Sequence, residues 1–569
     1  MRAIEEREFR MNLVVMKFGG TSVEDPAAIG RTAGIVAGRV ALGKSPVVVV
    51  SAMAKVTDQL LRAAAAAAQG DRAGALAISS RLRARHRDTA ADLVKNAAEC
   101  AALVCTIEEK FATLDEVLRG LAAIRELTPR ISDLIVSYGE RLSSRIVAAA
   151  FRERGIDAAH VDAREVIVTD SEFQKAAPLD DIIEKRAQEK LLPLVGEGKV
   201  PVMGGFIAAN EAGLTTTLGR GGSDYTGALV GGALTSETIE IWTDVDGIMT
   251  ADPRVCPDAL RVKVISFEEA AELAYFGAKV LHPATILPAV KKNSPVLVLN
   301  SRNPSNEGTR IISVAPHCKS PFKSIAIKKK LSIMDIVASR MLLSHGYMSK
   351  IFAIFDKHRC PVDMVSTSEV SVSLSVDSNA SLPEIAADLK ALADVTYEGK
   401  KALVCMVGED IRGQQGIAAQ VFNAIRHINV RMISQGASEI NMSFMIEEDD
   451  ADEAVRSLHA AFFKEPDPEI FDVEARKQLS VISGWPIPAT AILTDLCPLN
   501  TDHCSEGTDA DSCAWQGKNR QPGGRSGTGA RPRRAHARHR RQSARLGADG
   551  SEPGGRRCCH RLYRSRSSR

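Results

Sequence analysis

An α/β architecture with a mainly parallel sheet flanked by helices, followed by two smaller α+β modules and a disordered C-terminal tail, is the fold class this sequence predicts. Three observations carry that expectation. Short apolar runs that read as buried strands alternate with helical stretches over about 300 residues. A helix, a strand and an alternating strand then recur about 70 residues further on. Past about Ser483 the chain turns rich in Arg, Gly, Ser, Pro and Cys, and no periodicity survives.

The first strand is Val14-Val15-Met16, which delivers Lys17-Phe18-Gly19-Gly20-Thr21-Ser22-Val23. Paired glycines after a buried strand let backbone N–H groups approach an anion that any Cβ would hold off. The lysine precedes the glycines, unlike in a P-loop. Taken alone, the motif also reads as a tight turn with a solvated lysine. A helix is predicted over Pro26 to Arg39, then a strand from Pro46 to Ala52, the loop Met53 to Asp58, and a helix from Gln59. One long helical region is expected from Leu76 to about Arg125, and an apolar helix over Ile146 to Phe151. Strands are predicted at Ala158 to Asp162, Val200 to Ile207, Ile239 to Thr243 and Val296 to Asn300.

Ligands of such a sheet bind beyond its strand ends, and the unusual residues fall there. Val202-Met203-Gly204-Gly205-Phe206-Ile207 is a strand broken by glycines. Thr215-Thr216-Thr217-Leu218-Gly219-Arg220-Gly221-Gly222-Ser223-Asp224 packs hydroxyls, an arginine and one acid into a single loop. Arginine's planar fork matches a carboxylate. The bland alternative is a glycine-rich surface loop capped by Ser223 or Asp224. Thr243-Asp244-Val245-Asp246-Gly247 through Arg254 ends another strand with acids and an arginine. Phe276-Gly277-Ala278-Lys279-Val280-Leu281-His282-Pro283 supplies a further lysine.

Of the 569 residues, 45% are hydrophobic and 25% charged, and no apolar run of about 18 residues appears, so no membrane span and no membrane partner are expected. Met1 to Arg10 lacks the apolar core of a signal peptide, with Met11 an alternative start, and a cytoplasmic location is expected. The net charge of +3 hides two unlike parts. From Trp485 onward there are sixteen Lys+Arg against seven Asp+Glu, which leaves 57 against 63 in the body. An acidic body argues against nucleic acid as partner. The Arg-rich tail reads as a frameshift product or as a disordered basic arm. Five of eleven cysteines lie in it, and the other six are scattered without metal-ligand spacing, so no protein ligands to a metal are assigned.

Seven segments in register resemble the aspartate kinases of the amino-acid kinase family: Lys17 to Val23, Ser51 to Thr57, Gly139-Glu140, Gly204 to Ile207, Thr215 to Tyr225, Thr243 to Arg254, and Phe276 to Pro283. The resemblance implies transfer of the ATP γ-phosphoryl group, with Mg²⁺, to the side-chain carboxylate of L-aspartate, the first step of lysine, threonine and methionine biosynthesis. It implies that Lys17, Arg220 and Asp224 are catalytic. Lys17, Gly19, Gly20, Thr243, Asp244, Met249, Arg254, Lys279 and Val280 would hold ATP, with Met249, where some members have tyrosine, packing against the base as apolar filler. Thr57, Glu140, Phe206, Arg220, Ser223 and Asp224 would hold aspartate, with Arg220 on its α-carboxylate and the acids on its ammonium.

The internal repeat resembles a pair of ACT domains, small βαββαβ modules that bind amino acids and pair edge to edge. Two purely structural modules are the alternative. The boundaries expected are a catalytic domain over 12–315, modules over 324–400 and 401–480, and the tail over 485–569. Likeness to the lysine-sensitive members implies an effector site at Met341, Ser344, Gly346, Tyr347, Met348, Val362, Asp363, Thr367, Ser368 and Glu369. Asp363 and Glu369 would meet ammonium groups, lysine being favoured over threonine, and a homo-oligomer, a dimer through the ACT domains, is expected. A kinase for another small carboxylate and a catalytically silent amino-acid sensor are the competing functions. The sensor predicts loss of Lys17, Arg220 or Asp224, and all three are present.

Overall fold

A computed structural model describes residues 12–276, 283–338, 345–378 and 381–473, with the side chains of 283–286 left aside. Strand β1 (Leu13–Phe18) leads through a 3₁₀ turn to α1 (Pro26–Ala41), whose first turn is capped by the Asp25 carboxylate on the Ala28 N–H. Then follow β2 (Ser45–Val50), α2 (Val56–Ala68), α3 (Arg72–Leu93), α4 (Ala97–Ile124), α5 (Pro129–Val136), α6 (Tyr138–Glu153), β3 (Ala158–Val161), β4 (Val168–Thr169) and α7 (Asp180–Gly196). Next are β5 (Val200–Gly204), β6 (Ile207–Asn210), β7 (Thr215–Thr217), α8 (Gly222–Leu234), β8 (Thr238–Thr243), β9 (Val264–Ser266), α9 (Phe267–Tyr275), α10 (Pro283–Lys292), β10 (Val296–Asn300) and β11 (Thr309–Ile312).

The eight-stranded sheet runs in the order β3-β5-β2-β1-β8-β10-β11-β9, parallel in every pairing except β10 with β11. Side chains alternate across β1 as the pleat requires. Val14, Met16 and Phe18 enter the core on one face, and Leu13 and Val15 enter the core on the other. Lys17 therefore belongs with Leu13 and Val15, on the face covered by α7 and α8.

Two expectations change. The long helical region breaks at Val94 to Asn96, because the Asn96 side chain caps α4 by accepting from the Ala98 and Glu99 N–H groups. The run Val200 to Ile207 divides into β5 and β6. Phe206 sits at φ 65 between them, a left-handed turn that no strand tolerates.

The remainder comprises β12 (Ser324–Val337), α11 (Tyr347–Lys357), β13 (Val362–Thr367), β14 (Ser371–Asp377), α12 (Leu382–Leu389), β15 (Asp394–Val407), α13 (Ile417–Ala424), β16 (Met432–Gln435), β17 (Asn441–Glu447) and α14 (Ala451–Phe462). Its six strands form one antiparallel sheet, β13-β14-β12-β15-β17-β16.

The expected division at 400/401 falls inside β15 and needs correction. β12 and β15 pair along both modules, with a register shift after Lys328. Their far ends, from Met334 on β12 and at Val395 on β15, pack with α11 and α12. Ile325 and Ala326 of β12 and Ala402 to Val407 of β15 instead join the core with α13, α14 and β17. One module is thus assembled from two separate pieces of chain, because a strand long enough to serve two cores reads as a single strand. That second core also continues without interruption into the β8, β10 and α9 side of the large sheet.

Candidate active site

Parallel register brings five strand ends to one level. Phe18 lies opposite Val50 and Trp242, Val50 opposite Gly204, and Trp242 opposite Leu299. β1 has β2 on one side and β8 on the other, so the strand order reverses there and leaves a crevice beyond its carboxyl end. Gly19 to Ser22 emerges into it.

Lys17 is buried, 7% exposed, and its Nζ pairs with Asp224 Oδ1 at 2.5 Å. Asp224 lies in the first turn of α8, where the helix dipole favours a carboxylate. Glycine makes the approach possible: a Cβ at Gly227, one turn along α8, would stand 3.2 Å from the Lys17 Cβ. The Gly19 N–H donates to the Trp242 carbonyl and the Ala54 N–H to the Gly20 carbonyl, so the turn is bound to the end of β8 and to the loop after β2. A Cβ on Gly20 would meet the Ala52 oxygen at 3.0 Å.

Glu140, in the first turn of α6, lies against Gly204 at the end of β5. It is 3% exposed, its Oε2 has no hydrogen-bond partner among the described residues, and burial pushes its carboxyl up to about 8 against the opposing pull of the Ala52 and Glu140 N–H groups. Close packing excludes larger residues around it. A Cβ on Gly139 would meet the Ala52 Cβ at 2.8 Å, one on Gly204 the Glu140 Cβ at 3.0 Å, and one on Gly205 the Ser223 Cβ at 2.7 Å. The left-handed Phe206 is pinned by its N–H on Thr226 Oγ1 at 3.0 Å, and its ring lies against Gly222. Thr57, half-buried, occupies the first turn of α2. Arg220 is exposed in the loop entering α8, with no ion pair among the described residues, close in sequence to Ser223 and Asp224 on the same edge.

At the end of β8, Thr243 Oγ1 donates to Asp244 Oδ1 at 3.3 Å, and the exposed Arg254 grips Asp252 through two hydrogen bonds of 3.0 and 2.6 Å. The Met249 carbonyl accepts from Ser324 Oγ at 2.7 Å, so its backbone ties this loop to β12. Lys279 and Val280 lie outside the described residues. Residues not foreseen also build this rim: Ser22 Oγ donates to Ser301 Oγ at 2.8 Å, Ser301 Oγ to the Thr243 carbonyl, and Asn300 Nδ2 to Asp246 at 2.8 Å. Serine and asparagine at a strand end carry little signal of their own. Among the described residues no group of three or more His, Cys, Asp or Glu is placed to hold a metal ion.

Of the residues expected at an effector site, Gly346 caps α11 with φ 72, Tyr347 is buried with its hydroxyl on the Leu392 carbonyl at 2.9 Å, and Met348 packs partly buried beside it. Val362 and Asp363 open β13; Thr367, at its end, and Ser368 and Glu369 beyond it are exposed. Met341 and Ser344 lie outside the described residues. Lys328 donates to Asp363 Oδ2 at 2.7 Å and the Tyr275 hydroxyl to its Oδ1 at 3.4 Å. It is engaged by a cation of its own chain and by a tyrosine of α9.

A buried cation, glycine-lined backbone, a buried carboxyl with an unused oxygen, and an exposed guanidinium at one sheet edge suit two small charged reactants held side by side. Little else is needed for a transfer between anions, where neutralising charge dominates.

The amino acid kinase family profile matches residues 12–300, and an ACT domain profile matches 404–462. The chain is 37% identical over 470 residues to lysine-sensitive aspartokinase 3 of Escherichia coli (strain K12), covering 79% of this chain and 99% of that protein. It is 36% identical to chloroplastic aspartokinase 3 of Arabidopsis thaliana, over 79% of this chain and 81% of that one. The crystal structure of E. coli aspartokinase III in complex with aspartate and ADP, an R-state, superposes with a TM-score of 0.69 at 36% identity, over 79% of this chain and all of that one. The same enzyme in complex with lysine and aspartate, a T-state, gives 0.68 at 36% identity, over 80% of this chain and all of that one.

Proposed function

Because the chain belongs to the amino acid kinase family and, within it, to the aspartokinases, we propose that the crevice beyond β1 is where it transfers the γ-phosphoryl group of ATP to the side-chain carboxylate of L-aspartate. The protein is an aspartate kinase under lysine feedback. A carboxylate oxygen attacks the γ-phosphorus, the bond to the bridging oxygen breaks, and ADP leaves with that electron pair, giving 4-phospho-L-aspartate. The attacking carboxylate is already ionised near neutral pH, so no general base is required.

The Lys17–Asp224 pair beside the paired glycines is the observation that carries this reading. Asp224 fixes the ammonium of Lys17 at the mouth of the crevice, and Gly19 and Gly20 admit the phosphoryl group to their backbone. Arg220 takes the α-carboxylate of aspartate, and Glu140 with Ser223 and Thr57 takes its amino end. Thr243, Asp244, Arg254 and the 276–283 segment surround the nucleotide. Mg²⁺ would be carried by the nucleotide phosphates, whose charge it would neutralise, with no protein ligand to it assigned among the described residues. The effector lysine acts from the module containing α11 and β13, and subunits pair through the regulatory modules. Among the described residues no helix is long and apolar enough to cross a membrane. A coupled ADP-release assay with L-aspartate, with and without lysine and threonine, tests the whole reading. ADP release that depends on aspartate and is suppressed by lysine is expected; release that ignores aspartate would overturn it.

Two expectations divide the acceptor half of the site. Arg220→Ala should raise the aspartate KM by about 10- to 100-fold, the worth of a charge-assisted hydrogen-bond pair, and leave the ATP KM within about twofold. Equal effects on both would remove Arg220 from the carboxylate. Glu140 is protonated in the free enzyme below about 8, and the substrate ammonium favours its ionised form. Binding must then release a proton, so kcat/KM for aspartate should rise about tenfold per pH unit toward 8 and level off above it. Glu140→Gln should flatten that limb, and a limb that survives unchanged belongs to another group.

A further inference from the structure

Asp133 is 1% exposed in the middle of α5, with no cation at ion-pair distance among the described residues. Burial raises its carboxyl pKa, against the opposing pull of three donors. The Gln174 N–H donates to Oδ2 at 2.8 Å, the Thr217 N–H to Oδ2 at 3.1 Å, and the Thr217 hydroxyl to Oδ1 at 2.9 Å. Those donors belong to two separate segments. Thr217 ends β7 and leads within three residues to Arg220; Gln174, held at φ 73, lies in the loop that covers Gly219, whose Cβ would stand 3.0 Å from the Gln174 oxygen. The Ala176 N–H on the Thr217 carbonyl joins the two segments. Asp133 itself stands seven residues before Glu140, with α5 running into α6 through Ser137.

We propose that Asp133 is a positioning residue for the amino-acid acceptor. Its carboxylate ties the helix pair that carries Glu140 to the strand that launches the Arg220, Ser223 and Asp224 loop, and so sets the span between the two ends of the bound amino acid. The inference rests on the reading that Glu140 and Arg220 hold aspartate. A carboxylate at this point offers two acceptor oxygens to three donors converging from two chain segments, which no apolar residue does. Leaving those donors unpaired in a buried place would let both loops move, and a small displacement of substrate-holding groups is costly in binding.

Steady-state kinetics in both substrates, with thermal unfolding, test this on Asp133→Ala, Asp133→Asn and Thr217→Val. Asp133→Ala should raise the aspartate KM at least about tenfold while the ATP KM stays within about twofold. Asp133→Asn should return the aspartate KM to within about threefold of the parent, because the amide oxygen accepts both N–H groups and its NH₂ donates to the Thr217 hydroxyl. Thr217→Val, which removes one hydrogen bond, should give a rise of about threefold to tenfold confined to aspartate, and it carries the test should Asp133→Ala fail to fold. Equal shifts in both KM values, or a lowered melting temperature with an unchanged KM ratio, would make Asp133 merely structural. If Arg220→Ala raises the aspartate KM and the Asp133 and Thr217 variants do not, this inference alone fails. If the parent does not use aspartate, the reading beneath it fails.

Discussion

Lys17→Ala is expected to lower kcat by a factor on the order of 10³ while the protein stays folded, since removing one preorganised positive group from a developing anionic charge costs that much in comparable sites. The lysine is 7% exposed, and its nitrogen is within 2.5 Å of Asp224. Buried charge of this kind acts in a low dielectric, where each partner weighs more than it would in water. Asp224 retains access to solvent in the variant, its side chain being 17% exposed, so the leftover carboxylate does not unfold the domain. The measurement is turnover by ADP release, with far-UV circular dichroism as the control for folding. Near-parental turnover in a folded variant would take Lys17 out of the chemistry.

Lys323→Ala is expected to destabilise the protein by about 3–5 kcal/mol, the usual consequence of stripping one partner from a buried ion pair. Lys323 and Glu269 have side chains only 1% and 3% exposed, with Nζ 3.0 and 3.1 Å from the two carboxylate oxygens. Glu269 is also the N3 residue of the capping box that starts α9, exchanging hydrogen bonds with Ser266. Lys323 precedes β12 directly and fixes its own backbone on the Val407 carbonyl. The pair therefore fastens the regulatory sheet to a catalytic-domain helix. Replacing both residues by methionine should recover most of the loss, because no charge is then left buried without a partner. Urea unfolding of the single and double variants beside the parent decides it. The difference between variants carries the comparison, since a chain of several modules need not unfold in one step. A single variant within about 1 kcal/mol of the parent would show that the charge is solvated after all.

Much of the catalytic half was legible along the chain because its signals are local. Strand runs ending in Lys17-Phe18-Gly19-Gly20, the glycines at 204 and 205, and the loop from Thr215 to Asp224 each place their own residues at a strand end, whatever the sheet order. Glycine was the clearest marker. Gly139, Gly204, Gly205 and Gly227 all stand where a Cβ would come within 3.2 Å of a neighbour in the crevice. A sequence shows that a glycine is there, and the reason lies in another segment.

What the sequence by itself determined was the set of elements and the chemistry at their ends, since hydrophobic period and turn residues act over a few positions. Only the tertiary structure decided which ends meet. It packed α8 on β1 and so brought Asp224 to Lys17, gave one β12–β15 pair to two cores, turned Asp363 toward Lys328 and Tyr275, and buried Asp133 under Thr217 and Gln174. Those meetings join positions dozens to hundreds of residues apart, and their energy comes from burial and hydrogen bonding that no local pattern records.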